Sequence, residues 1–105
     1  MNKIFDAEAA GLKALKSLDV IRVPIVKGTG PLPSLFNGQP GAYIVLEHIY
    51  MREISSNPND QQALGRLVAQ LHNKPVEFEK FGFPCNTYLG GMELDNTACD
   101  NWSEF

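Results

Sequence analysis

Residues 42–49, Ala-Tyr-Ile-Val-Leu-Glu-His-Ile, form a nearly continuous apolar run of strand length. Such a run predicts a strand buried on both faces, which needs neighbours at both edges and a covering layer above and below. The chain offers one candidate neighbour, residues 21–26, whose β-branched residues are interrupted by Pro24 and therefore suit a sheet edge. Two strands are too few to bury one of them. Either a second copy completes the sheet or the sequence is a piece of something larger.

The rest of the chain has a simple order and no internal repeat. Residues 4–18 are rich in helix formers, and Phe5, Leu12 and Leu15 fall on one helical face. Residues 28–33 and 37–41 are dense in Gly and Pro and predict a long loop between the two strands. Asn57 followed by Pro58 reads as a helix start, with Asn57 as the cap and proline at the first helical position. Leu64, Leu67, Val68 and Leu71 then give an apolar stripe that ends near His72, and beyond Pro75 mostly loop is expected. At 105 residues the chain has room for one domain.

Composition narrows the function classes. A hydrophobic content of 44%, a charged content of 20% and a net charge of -3 are ordinary for a folded chain and give no basic footprint for nucleic acid. No apolar stretch approaches the roughly 18 residues of a membrane helix. The acidic residues Asp6 and Glu8 stand where a signal peptide would be apolar. A cytoplasmic protein is expected, or an organellar one if an upstream transit peptide is missing. Cys85 and Cys99 lack the spacing of a zinc site, so free thiols are expected, with a disulfide as the alternative.

Glu8 raises the sharpest chemical question. It sits within the stripe of Phe5, Leu12 and Leu15, where an unpaired charge is costly, and no lysine or arginine lies one helical turn away at positions 4, 5, 11 or 12. It either waits for a cation from another element or points to water near the start of the helix, where the dipole favours it. His72 reads as a residue at a helix C-terminus rather than a catalytic base. Gly28-Thr29-Gly30 lacks the following GK[ST] of a phosphate loop and reads as a connecting turn.

Several short stretches, in this order, resemble the fructosamine kinases, also called ketosamine 3-kinases, over the whole chain. The pattern F-x-x-E-x-x-x-L matches Phe5, Glu8 and Leu12, and a VPxP-like segment matches Val23-Pro24. The strand leading into an E-H hinge matches residues 43–49, M-R-x-[IL]-S-S matches residues 51–56, and a helix ending in L-H matches Leu71-His72. The closing stretch begins Phe81-Gly82-Phe83 and keeps the family's Thr87, Gly90, Asn96 and the W-x-x-F of Trp102 and Phe105. It departs at Glu93-Leu94, where the family usually has Pro-Gln, and at Ala98, where it usually has Trp.

The resemblance implies an α/β (α+β) piece of a protein-kinase-like fold related to the aminoglycoside phosphotransferases. Residues 1–49 would be part of the small lobe, with an αC-like helix, two sheet strands and the hinge. Residues 50–105 would begin the large lobe with its first helix and a substrate-side loop. It implies that Glu8 pairs with a phosphate-binding Lys, that the backbone of Glu47, His48 and Ile49 holds adenine, and that Gly90, Asn96 and Trp102 lie toward the sugar. The implied cofactors are ATP and Mg, with no metal ligand in this chain. The implied substrate is a glycated protein or small ketosamine, such as a fructosamine or ribulosamine, phosphorylated at the 3-hydroxyl. No Gly-rich phosphate loop, nucleotide-binding Lys or catalytic Asp loop is seen in these residues, so the chain alone is expected to be inactive and to be cut just before a helical lobe. The rival reading is a noncatalytic interaction module that associates through an open sheet edge.

Overall fold

The computed structural model describes residues 2–35, 37–53, 56–77 and 79–105. Helix α1 spans Asn2–Ser17, strand β1 Val26–Leu32, strand β2 Gly41–Leu46, and helix α2 Pro58–Asn73. Strands β3, Thr87–Leu89, and β4, Met92–Leu94, follow, and a single 3-10 turn covers Trp102–Glu104. The architecture is a mixture of two helices with two small antiparallel sheets, β1 with β2 and β3 with β4.

Sheet β1–β2 corrects the sequence reading in two ways. The edge strand starts only at Val26, not at residue 21, and runs through Gly28, Gly30 and Pro31, which had read as loop. Pro24 has no N–H to give a ladder, while Val23 is 4% exposed and serves as an anchor instead. Pro31 pairs with Ala42 on a strand whose other edge is open in the described residues, so its missing N–H breaks no second ladder. Gly30 leaves room for the Tyr43 ring to lie across it: with that ring in place, a Cβ there would come within 2.6 Å of the tyrosine hydroxyl oxygen. The register shifts between Val26 and Gly28, leaving Lys27 as the extra residue of a bulge.

Strand β2 is covered on one face rather than both. Ala42, Ile44 and Leu46 are half-buried under α1, whereas Tyr43 and Val45 remain 41% and 46% exposed. The alternation has the period of a strand with one covered face. The buried apolar residues among the described ones are Ala7, Ala9 and Val23, two of them on α1 where small residues let the sheet approach. The radius of gyration is 16.9 Å, against about 13 Å for a domain of this length closed around its own core.

Helix α2 starts as its sequence predicts: Asn57 Oδ1 accepts from the Asn59 N–H at 3.0 Å, and Pro58 opens the helix. No residue of α2 is buried, and among the described residues it packs against no other helix or strand. Past Pro75 the expected loop contains instead a hairpin, β3–β4, whose two-residue turn is Gly90-Gly91. Gly90 has φ +60° and Gly91 is not in the positive region, the pattern of a II′ turn that matches strand twist. An isolated antiparallel bridge, Phe81 with Cys99, closes the segment around the hairpin.

Candidate functional site

Helix α1 places Glu8 by its wheel position. At about 100° per residue, Phe5, Ala9 and Leu12 form one covered flank, and Ile4, Ala7 and Gly11 form another. Glu8 and Leu15 lie on the strip between these flanks and are exposed. The carboxylate therefore stands between two packed faces on a strip left exposed by the described residues. No Lys, Arg or His among the described residues is within ion-pair distance of it.

The segment after β2 is locked from its small-sheet side. Glu47 donates its backbone N–H to the Ile25 carbonyl at 2.8 Å. Its side chain accepts in return from the Ile25 N–H at 3.2 Å and from Arg22 Nη2 at 3.0 Å. The Ile25 N–H and then the Arg22 guanidinium hold the Glu47 carboxyl below the usual glutamate range. His48 is exposed, Ile49 is half-buried, and the His48 and Tyr50 rings meet edge-on with centroids 4.9 Å apart. Sequence reasoning did not find Arg22, because a partner 25 residues away leaves no local spacing signal.

Because the folded carboxyl ionises more readily than in the unfolded chain, its stabilisation is present above the unfolded value and is lost as pH falls through the folded one. Urea midpoints from about pH 6 to about pH 3 should fall more steeply for the native protein than for a Glu47→Gln variant, which can still accept from Ile25 but cannot ionise. Parallel curves would remove Glu47 as a titrating contributor.

The closing stretch is organised by Asn96. Its Nδ2 donates to the Cys85 carbonyl at 3.1 Å and to Thr87 Oγ1 at 2.8 Å, and its own N–H donates to Asn86 Oδ1 at 3.0 Å. Its carbonyl accepts from the Phe83 N–H at 3.1 Å. The amide is thus engaged in holding the two sides of the hairpin base together. Gly90 sits at the exposed hairpin tip, with open space around it. Trp102 is 70% exposed and meets Phe81 edge-on at 5.8 Å and Phe105 at 5.8 Å.

Glu93 accepts from Asn86 Nδ2 at 3.1 Å, and burial followed by the nearby Glu93 charge pushes the Tyr88 hydroxyl above its ordinary value. Both thiols are free, with Cys85 exposed and Cys99 half-buried. Between the C-terminal half of α1 and the segment around Phe81 and Phe83 runs an open groove of about 720 Å³, which reaches Thr87 and Asn96.

Helix α1 is the common platform, packing against β1, β2 and β3. No hydrogen bond or ion pair among the described residues joins Glu8, the 47–49 segment and the 87–102 segment to one another. His72 lies exposed in the last turn of α2. Among the described residues no cluster of three His, Cys, Asp or Glu could hold a metal ion, and no helix is long and apolar enough to cross a membrane.

Comparison with known proteins gives one consistent answer. The sequence model of the fructosamine kinase family matches residues 1–105. A chloroplastic protein-ribulosamine 3-kinase of Oryza sativa is 34% identical over 102 residues, covering 97% of this chain and 28% of the relative. One from Arabidopsis thaliana is 32% identical over 102 residues, with 97% and 29% covered. The crystal structure of a protein assigned as a fructosamine-3-kinase, from Haemophilus somnus, superposes with a TM-score of 0.76 at 27% identity, over 99% of this chain and 32% of that one. The chain spans under a third of the length of these relatives.

Proposed function

The chain belongs to the fructosamine kinase family, and on that footing we propose that it is the central scaffold of an ATP-dependent ketosamine 3-kinase. In this reading α1 presents Glu8 to the Lys that grips the nucleotide phosphates, and the Glu47–His48–Ile49 backbone receives the adenine edge. The hairpin with Gly90 and Asn96, together with Trp102, lies toward the sugar. The Lys, the catalytic Asp and the Mg ligands belong to the remainder of the complete protein. Bound Mg would offset the charge of the phosphates.

In the reaction the substrate 3-hydroxyl oxygen bonds to the γ-phosphorus, the bond to the β-phosphate oxygen breaks, the hydroxyl proton passes to the Asp carboxylate and ADP leaves. The substrate would be a fructosamine or ribulosamine on a glycated amine, and the relatives named for ribulosamine favour that sugar. Two free thiols fit a reducing compartment; the cytoplasm is our assignment, and the two plant relatives are named chloroplastic.

The observation that carries this reading is the open strip of α1 with Glu8 at its centre and no cation beside it among the described residues. The test is ADP release by the complete protein given MgATP with a ribulosamine or a fructosamine, followed by locating the phosphate on the product. ADP formed in step with a 3-phosphate supports it, and no substrate-dependent ADP rejects it. The 105-residue chain alone should release none. Its uncovered Tyr43 and Val45 and its open sheet edges should drive association as concentration rises. A monodisperse, cooperatively unfolding monomer in sedimentation and melting would contradict the scaffold reading.

A further inference from the structure

Two polar locks flank the exposed segment after β2. On the near side Glu47 is tied to Ile25 and Arg22, as described above. On the far side Arg52 holds Asp60 in the first turn of α2 by two parallel bonds, Nη1 to Oδ2 at 2.7 Å and Nη2 to Oδ1 at 2.9 Å. Between the locks, Tyr50 and Met51 are 93% and 86% exposed, and residues 48–53 make no backbone hydrogen bond to described residues. Helix α2 packs on no other described element, and its C-terminal half only faces Asp19 and Val20 across an open groove. Among the described residues, the fork is thus a direct tie between this segment and the first turn of α2.

We infer that Arg52 and Asp60 are positioning residues that set the angle between the 47–49 segment and α2, and through it the alignment of the nucleotide with the acceptor hydroxyl. The inference rests on the kinase reading of residues 47–49. Arg52 is 73% exposed at its side chain, so water and salt screen the pair and its worth to stability is small. A bidentate guanidinium–carboxylate pair nevertheless fixes two points and a plane, which a single-point lysine contact does not. Alignment is where small displacements count: a shift of about 1 Å can cost about 100-fold in rate.

In the complete protein, Arg52→Lys and Asp60→Asn should each lower kcat about tenfold while KM for ATP stays within about twofold and the melting temperature within about 3 °C. Asp60→Glu, which keeps two acceptor oxygens, should recover most of the lost kcat. An active protein whose Arg52→Lys variant keeps its kcat overturns the inference alone, since packing elsewhere would then hold α2. So does a loss of kcat that follows the melting temperature through all three variants, or an Asp60→Glu variant no better than Asp60→Asn. A wild-type protein that consumes no ATP with a ketosamine overturns the kinase reading, and this inference with it.

Discussion

If Glu8 holds the proposed lysine, replacing it with Gln in the complete protein should lower kcat by about 100-fold or more while leaving the melting temperature nearly unchanged. The two halves of that expectation have separate origins. Stability should change little because Glu8 is exposed with no ionic partner among the described residues, and in the complete protein a Gln of the same shape can still accept a hydrogen bond from the proposed lysine. Turnover should fall because, in the proposed role, the phosphate-binding lysine needs a fixed anion to hold its ammonium in line, and an amide of the same shape carries no charge to do so. The flanks of Phe5, Ala9 and Leu12 on one side and Ile4, Ala7 and Gly11 on the other leave the carboxylate on an open strip. Steady-state kinetics with saturating ketosamine, beside a thermal melt, check both halves. A Glu8→Gln variant with full turnover would leave Glu8 as a solvated residue near a helix start.

The largest effect on stability belongs to Gly82→Ala. Gly82 has φ +146°, where an L side chain is strained, and an ideal Cβ there would stand 2.8 Å from the Asn96 carbonyl oxygen and 2.9 Å from Ala98 Cα. Both obstacles are backbone, so no rotamer change relieves them. The expected loss is about 3 kcal/mol, read as a lower urea midpoint, and it should also disorder the hairpin base that Asn96 holds together. Gly91→Ala is the control: nothing lies within 4 Å of its Cβ and its φ is not positive, so a change within about 0.5 kcal/mol is expected. Equal effects at the two glycines would mean that the closure around Phe81 and Cys99 does not form as described.

How far the sequence could be read follows from the range of the interactions involved. Both helices were legible because their signals are local: formers and apolar spacing for α1, and the Asn57–Pro58 start for α2. Strand β1 was placed too early because β-branched residues at 21–26 outweighed Gly28, Gly30 and Pro31, and the reason glycine is tolerated there is the ring of Tyr43 on another strand. The apolar run at 42–49 suggested burial on both faces, but the strand ends at Leu46 and periodicity cannot say what covers a face.

Hairpin β3–β4 was missed although Thr-Tyr-Leu, Gly-Gly and Met-Glu-Leu carry its signal, because the Gly-rich composition was read as loop. The structure places Asn96 with its amide bonded inside the hairpin base, an engagement that sequence spacing could not reveal. The ties from Arg22 to Glu47 and from Arg52 to Asp60 join residues in different elements, where no sequence period exists.

A structure of the complete protein with a non-hydrolysable ATP analogue tests the central claim most directly. The account predicts a lysine ammonium within about 4 Å of the Glu8 carboxylate, filling the open strip of α1, and the adenine edge hydrogen-bonded to the backbone of residues 47–49. Glu8 facing water with nucleotide bound, or adenine seated away from residues 47–49, would contradict it.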